Sequence, residues 1–329
     1  MLQKLNFKPG FNKQDTESGA EGQWVDGDFV RFRYGLPEKI GGWNQLTAAS
    51  LTLPGVGRQQ VAFTSFAGEK YTAIGTSQGL FLFYGNDFFD ISPLDTAITG
   101  ATLTTVNGSS TVTVNKASHG LLKGRYITLS SVTVTGASAF TASDLEKSYE
   151  ILTAATDSFT IQASSNETGS GMTAAGSATI NPYVIVGPTI QTGGYGWSTS
   201  TWGASTWNTP RATTSVVLDP GNWSLDNFGQ VLVATIFNGE TFTWNAGATN
   251  ARTIRASKTT SDFQTTNNPT ATRISVVSDR DRHLFHMGTE TTIGTPATQD
   301  PMFVRFSNQE DINTYTPTAT NTAGTFRLD

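Results

Sequence analysis

The chain has 329 residues, enough to bury a substantial core in one large domain or two smaller ones. Only 14% of the residues are charged, 11% are aromatic and 33 are glycine, a balance that favours many short strands and turns over surface helices. The net charge of −5 excludes a protein that grips nucleic acid over a broad basic face, and the absence of cysteine excludes disulfides and thiolate metal sites.

The first part of the chain, residues 1–96, carries strand-like runs separated by glycine-rich turns. Its start, MLQKLNFKPGFN, lacks the apolar core of a secretory signal, and no run approaches the length of a membrane span. We therefore expect synthesis in a cytoplasm.

The run DFVRFRYG within this part alternates between two kinds of side chain. Phe29, Arg31 and Arg33 fall on one side of an extended strand, and Val30, Phe32 and Tyr34 fall on the other. The pattern predicts a strand with one buried face and with Arg31 and Arg33 on the open face.

A repeated pattern is the strongest signal in the sequence. An apolar strand, a glycine turn and an aromatic-rich strand recur at 71–93, at 229–247 and, in longer form, at 281–317. Units of this kind cannot bury their apolar faces singly, so they stack on one another. The repeats predict an all-β fold of the β-propeller type.

The middle of the chain, residues 97–181, has a different texture, rich in threonine, serine and valine. Alternation of period two predicts strands at TVTV (111–114), YITLS (126–130), YEILTA (149–154) and SFTIQA (158–163). Ser143 and Glu146 match a capping box for one helical turn, and the glycine-rich exit, 164–182, predicts a mobile hairpin or linker. We interpret 97–181 as a small β-sandwich or barrel-like domain inserted into the propeller, which resumes over 182–329.

The most unusual segment is GGYGWSTSTWGASTWNTP, residues 193–210. Trp197, Trp202 and Trp207 recur every five residues, a spacing that fits neither a helix nor a strand face. Large flat side chains on a flexible backbone suit an adaptable contact surface. Three readings stay open: the rings fold back on their own domain, contact a neighbouring subunit, or stack on a ligand.

Candidate metal sites are weak. Asp26 and Asp28 in VDGD could bind calcium, but Asp-Gly pairs are foremost turn residues, and no glutamate follows at the bidentate position. His283 and His286 are three apart in a predicted strand and so point to opposite faces. His119 has no evident partner.

Candidate catalytic motifs are also lacking. Asp279 and Asp281 lie in SDRDRH, where ion pairing within the loop is the favoured reading over acid–base chemistry. The sequence contains no phosphate-binding glycine loop and no G-x-S-x-G elbow. SLDNFG, at 224–229, departs from the repeat of sialidase-type propellers. We expect no catalytic residue, no cofactor and no metal, and hence no enzyme.

Several long segments together carry a resemblance to a known family. They are the run from Phe7 to Trp43, the Gly/Trp loop ending in TPR, NWSLDNFGQVLVATIFNGETFTW, and the stretch from RHLFHMG to the end. In this order they resemble the tail stabilisation or nozzle protein of short-tailed bacteriophages, over residues 1–96 and 182–329.

The resemblance implies a structural virion protein of the phage tail. Its copies would assemble as a ring, typically a homohexamer, below the portal and adaptor proteins. The ring would retain packaged double-stranded DNA and form the channel for its ejection. An acidic chain fits a conduit through which DNA slides without sticking. The resemblance also implies a propeller that is incomplete here and is closed by further chain.

Two other functions are considered. In one, the chain is a receptor- or glycan-binding tail protein whose tryptophan loop contacts sugars on the host surface. In the other, it is a hydrolase on a propeller scaffold. Arg31 and Arg33 could face solvent, a neighbouring subunit or the DNA path, and we favour the subunit contact. Trp24 and Trp43 are expected to pack inside the sheet.

Overall fold

The structure is a computed structural model that describes residues 7–42, 52–136, 138–172, 175–187, 221–258 and 268–329. The chain divides into two compact parts, residues 1–51 and 52–329. Almost every regular element is a β-strand, which confirms the all-β prediction. Among the described residues, no helix is long and apolar enough to cross a membrane.

The N-terminal part contains two small strand pairs. Strands β1 (Lys8–Phe11) and β2 (Gln23–Trp24) pair in parallel. Strands β3 (Val30–Arg33) and β4 (Leu36–Lys39) form an antiparallel hairpin.

Three antiparallel sheets, each built from consecutive strands, make up most of the second part. We call them the first, second and third sheet units. The first contains β5 (Gly57–Thr64), β6 (Lys70–Thr76), β7 (Leu80–Tyr84) and β8 (Asp87–Asp90). The second contains β16 (Trp223–Phe228), β17 (Val231–Ile236) and β18 (Thr241–Asn245), and the third contains β19 (Ile274–Val277), β20 (Leu284–Met287), β21 (Phe303–Phe306) and β22 (Gly324–Arg327). The predicted repeats contain β6 to β8, β17, β18, β20 and β21, whereas the first strand of each unit and β22 lie outside them.

The first strands of the three units lie side by side, joined through side chains rather than a backbone ladder. The Ser224 hydroxyl on β16 donates to the Ser275 carbonyl on β19 at 2.7 Å. On the opposite side, the Leu225 amide donates to the Gln59 amide oxygen on β5 at 3.2 Å. Adjacent first strands and stacked sheets are the arrangement of propeller blades, so the fold is propeller-like.

The second sheet unit is buried on both faces. Leu232 and Trp244 belong to the apolar core shared with the first unit, whereas Val233 belongs to the core shared with the third. The side chain of Trp223 fills the space beside Gly75, where a Cβ atom would lie 2.5 Å from the indole, and its Nε1 donates to the Thr76 carbonyl. Close approach of the two sheets therefore requires glycine at position 75.

The inserted sheet has seven strands in the order β12-β11-β15-β9-β10-β14-β13. Its strands are β9 (Ile98–Thr105), β10 (Thr111–Asn115), β11 (Tyr126–Thr133), β12 (Ser148–Glu150), β13 (Thr153–Ala154), β14 (Ser158–Gln162) and β15 (Ala175–Pro182). One face buries an apolar core of its own, which includes Leu103, Val112 and Ile161, and the other face carries threonine, serine and asparagine.

Two details of this region were predicted wrongly. The single helical turn, α1 (Ala142–Leu145), is capped by Thr141, whose amide donates to Asp144 at 2.9 Å, not by Ser143 with Glu146. The exit is not a mobile hairpin, because β15 pairs with both β9 and β11 near the middle of the sheet. Its small residues fit close packing: a Cβ on Gly176 would meet the Thr133 carbonyl.

Candidate functional site

The N-terminal hairpin carries the two predicted arginines. Val30 and Phe32 are half-buried while Arg31 and Arg33 are exposed, so the predicted alternation is present. Arg31 pairs with Glu38 across the hairpin at 3.2 Å, and the Arg33 guanidinium lies 5.4 Å from the ring centre of Tyr34. Both arginines are thus on an open face, and their contact with another subunit stays a prediction.

Phe29 and Tyr34 do not belong to that strand, contrary to expectation. Both have positive φ, 54° and 51°, and both are exposed. Tyr34 and Gly35 form the left-handed turn that joins β3 to β4, which removes Tyr34 from the alternation. Trp24 does pack on aromatic neighbours, with ring centres 5.2 Å from Phe7 and 6.5 Å from Phe32.

Trp197, Trp202 and Trp207 lie outside the described residues, as does Trp43. The three readings of the loop therefore stay predictions.

A polar cluster lies where the inserted sheet joins the sheet units. The chain enters the insert beside Leu94 and leaves it beside Tyr183, and these two residues form an antiparallel bridge. Arg125 fastens the two ends, because its guanidinium donates to the Asp95 carboxylate and to the Tyr183 carbonyl, both at 3.0 Å.

Arg255 connects this joint to the first sheet unit. Its guanidinium donates to both oxygens of Asp90, at 3.2 and 2.9 Å, and to the Ser92 carbonyl at 2.9 Å. The Tyr183 ring lies beneath the guanidinium at 4.9 Å. Its hydroxyl donates to Asp90 and lies 2.8 Å from the Ser148 hydroxyl. We call Asp90, Ser148, Tyr183 and Arg255 the joint cluster.

The electrostatics of the joint cluster indicate a fixed structural contact. Burial raises the pKa of Tyr183 to about 12, and the Asp90 carboxylate acts in the same direction. Burial lowers the pKa of Arg255, but the adjacent carboxylate outweighs it, so the net shift is upward. Tyr183 and Arg255 therefore keep their protons throughout the physiological range.

A cavity of about 560 Å³ adjoins the joint, lined partly by Asp95, Glu240, Arg255 and Lys258. Each of these charges already has a partner: Lys258 pairs with Glu240 at 2.6 Å, Asp95 with Arg125, and Arg255 with Asp90. The charges that line this cavity are therefore paired with one another or with residues of the joint.

A second polar cluster is buried inside the third sheet unit. His286 on β20 is fully buried, and its Nε2 lies 3.1 Å from the Tyr315 hydroxyl. Burial lowers the pKa of His286 to about 3, with a further contribution from its cross-strand neighbour Arg305. The Arg305 guanidinium donates to the carbonyls of Thr291 and Glu290, so this cluster ties loops to the sheet.

The two histidines lie on opposite faces, as predicted. His283 packs against Phe306, with ring centres 5.8 Å apart, on the face away from the second unit, whereas His286 contacts Tyr315 on the inner side. In the part of the chain that the structure describes, no three His, Asp or Glu side chains come together to hold a metal ion. Asp26 instead pairs with Lys13 at 2.5 Å.

The SDRDRH loop differs from its prediction in one respect. Arg282 pairs with Glu310 at 3.0 Å rather than with Asp279 or Asp281. The loop is a tight turn in which Arg282 has a φ of 41° and its amide donates to the Ser278 carbonyl. This geometry directs the guanidinium toward the loop after β21, a contact that the local sequence does not encode.

Comparison with known proteins gives little further information. No family model matches the sequence, and no curated protein matches it. Among solved structures the chain is similar to the phage phi92 endosialidase, at 13% sequence identity and a TM-score of 0.22. The match covers 89% of this chain and 40% of that one, so the chain spans less than half the length of that protein.

Sequence reasoning missed Arg255, Glu167 and Arg305. Each has its partners in distant or irregular segments, such as Asp90, which lies 165 positions from Arg255. The sequence around Arg255, TIRAS, has no motif, so only the stacking of the units reveals its role.

Proposed function

We propose that the chain is a structural subunit of a bacteriophage tail, whose copies form the ring-shaped nozzle or hub below the portal and adaptor. The ring would retain packaged DNA and guide it out during ejection. The protein would act by packing and symmetry, not as an enzyme.

The observation that carries this proposal is the serial stacking of three sheet units with adjacent first strands. Stacked units bury apolar faces between them and build rigid, curved assemblies. Three of the long segments that resemble the nozzle family contain the N-terminal hairpin, the second sheet unit and most of the third. Asp90 and Arg255 of the joint cluster are paired with each other and largely shielded from solvent, as suits a scaffold.

The net charge of −5 supports the proposed role as a channel for DNA. A channel wall must not bind the phosphate backbone tightly, since each bound phosphate adds affinity through counterion release. We therefore expect DNA to pass through the channel without binding tightly to the protein.

The test is electron microscopy and light scattering of the purified chain, together with a gel-shift assay on double-stranded DNA. We expect a closed ring with a central opening wide enough for a duplex, and no retardation of DNA at physiological salt. A chain that stays monomeric at micromolar concentration would contradict the ring. Binding on a glycan array in the absence of a ring would favour the receptor-binding alternative.

A further inference from the structure

A cavity of about 350 Å³ lies where the first strands of the three sheet units meet, and we call it the seam cavity. Arg58 and Gln59 on β5 line it from the first unit. Asn222, directly before β16, and Phe237, directly after β17, line it from the second unit, and Arg273, directly before β19, lines it from the third. Among the described residues that line the seam cavity, none is an aspartate or a glutamate.

Arg273 brings a positive charge to the wall of the seam cavity. Its guanidinium carbon lies 6.0 Å from the ring centre of Phe237, which lines the same cavity. Its aliphatic stem packs on Gly288, where a Cβ atom would lie 2.9 Å from the Arg273 side chain, so glycine leaves the space that the stem occupies. In the described part of the chain, no carboxylate forms an ion pair with Arg273. The charge is therefore available to a ligand.

Two amide side chains present hydrogen-bond donors beside this charge. Gln59 accepts the Leu225 amide through Oε1 at 3.2 Å. Asn222 accepts the Trp223 amide through Oδ1 at 2.9 Å. Each oxygen is thus engaged, and no described residue accepts from Nε2 of Gln59 or Nδ2 of Asn222. Because an amide NH₂ group only donates, these two groups favour a ligand that accepts.

A β-bulge explains why two neighbouring residues of β5 line one cavity. Successive side chains of a regular strand point to opposite faces, whereas a bulge re-aims them. The pairing of β5 with β6 shifts register between Gly57 and Gln59, so Arg58 is the inserted residue of the bulge. Arg58 thereby adds a second cationic residue to the lining of the seam cavity.

We infer that the seam cavity binds a tetrahedral oxyanion of the phosphate class. Guanidinium groups bind phosphate oxygens through charge-assisted hydrogen bonds, which are about twice as strong as neutral ones. The donors come from three sheet units, so they approach the cavity from several sides. The four oxygens of a phosphate can accept from all of them, whereas a carboxylate has only two oxygens. The volume is sufficient for a phosphate group with some of its waters.

A bound phosphate would connect three first strands that share no backbone ladder. Because the donors are brought together only in the folded chain, the ligand stabilises the fold by mass action. The inference goes beyond the proposed function, and it holds for a single chain as well as for a ring. The phosphate group could come from inorganic phosphate or from the backbone of DNA, and the two arms of the test distinguish these sources.

The first arm uses inorganic phosphate with the full chain, in Hepes buffer with ionic strength held constant by sodium chloride. Calorimetric titration should show one phosphate bound per chain, and the urea midpoint of unfolding should rise with phosphate concentration. Arg273→Gln should weaken phosphate binding by about tenfold or more, because a charge-assisted hydrogen bond is lost. Arg280→Gln is the matched control: Arg280 is exposed in the turn after β19, and its replacement changes the net charge equally. This control should bind phosphate like the wild type.

The second arm uses a short DNA duplex in a gel-shift assay at physiological salt. We expect no retardation. If the duplex binds more tightly than inorganic phosphate and Arg273→Gln abolishes that binding, the assignment of the cavity stands, the phosphate group comes from DNA, and the proposed passage of DNA without tight binding is wrong. A chain that forms no ring but binds phosphate through Arg273 rejects the proposed function alone.

Three outcomes overturn the inference. They are no saturable binding of either probe to the wild type, unchanged binding in Arg273→Gln, and equal losses in Arg273→Gln and Arg280→Gln, which would indicate a diffuse effect of charge. Circular dichroism verifies folding. If Arg273→Gln does not fold, Asn222→Ala replaces it; this variant removes one neutral donor and should weaken phosphate binding, and unchanged binding in it rejects the site.

Discussion

At the scale of single residues, Glu167 illustrates how a buried carboxylate stabilises loops. It is fully buried and accepts hydrogen bonds from the amides of Ala139 and Gly169 and from the hydroxyls of Thr105 and Ser138. Burial by itself raises the pKa of Glu167, but these donors outweigh it and hold the pKa at about 2. A charged side chain inside a small β domain is thus satisfied entirely by donors from its own loops.

Replacing Glu167 by glutamine should destabilise the inserted sheet. The new amide group would face donors that it cannot accept from, at a cost of about 1 to 3 kcal/mol. Because the folded pKa lies below the unfolded value of 4.5, the wild-type carboxylate stabilises fully above pH 4.5 and loses this effect as pH falls toward 2. Urea titrations at several pH values measure both effects. Glu150→Gln, on the exposed side of β12, is the control, and equal losses in the two variants would refute the role of Glu167.

The burial of His286 predicts that the stability of the third sheet unit depends on pH. The folded pKa of about 3 lies below the unfolded value of 6.5, so only the unfolded chain takes up this proton between those values. Stability should therefore fall as pH drops below 6.5, by up to about 1.4 kcal/mol per pH unit. His286→Gln should flatten the curve between pH 6.5 and 5. Tyr315→Phe removes the hydrogen bond but keeps the histidine, so it should lower stability and retain the dependence of stability on pH. If His286→Gln also retained that dependence, the assignment to His286 would be wrong.

At the scale of elements, the joint cluster sets how β8, the inserted sheet and the segment after β18 meet. Asp90 and Arg255 are largely shielded from solvent and make a bidentate pair, a geometry that gains more than an exposed contact. Backbone pairing does not hold the insert in place, because the strands of the insert share no β-ladder with the sheet units.

A double-mutant cycle measures this contact. Asp90→Asn and Arg255→Gln, singly and together, should give a coupling energy of about 1 to 3 kcal/mol in urea unfolding. The same cycle on Arg31 and Glu38, an exposed pair, should give less than about 1 kcal/mol. Equal coupling energies in the two pairs would show that shielding from solvent at the joint does not strengthen the ion pair.

At the scale of the whole molecule, the described residues of the second part form three apolar cores that share no residue. One lies within the inserted sheet, one between the first and second sheet units, and one between the second and third. The two ends of the insert are adjacent: the Val184 amide donates to the Pro93 carbonyl at 3.0 Å. The insertion predicted at 97–181 is therefore removable in principle.

Replacing residues 97–181 by a short Gly-Ser linker should leave the sheet units folded. The isolated insert should fold as well, because all of its core residues are its own. Circular dichroism and the cooperativity of urea unfolding test both pieces. Deletion of 229–247, which removes β17 and β18, is the control and should abolish folding. If the chain without residues 97–181 does not fold, the predicted boundary is wrong.

The sequence by itself determined the elements. Alternation in TVTV and VRFR predicted which side chains face inward, and the three repeats predicted the three sheet units, because the period of a strand is a local property that every few residues express. Prediction from the sequence failed where a local pattern competed with other contacts in the fold. The glycine-rich exit resembled a linker, yet β9 and β11 recruit it as a central strand, and Ser143 resembled a cap that Thr141 provides.

Only the tertiary structure decided how those elements meet. Trp223 fits over Gly75, Arg255 reaches Asp90, and Glu167 is enclosed by donors from two loops. These partners are separated by up to 165 positions, so no local pattern couples them. Their contacts exist because stacked sheets must fill the space between them and pair every buried charge.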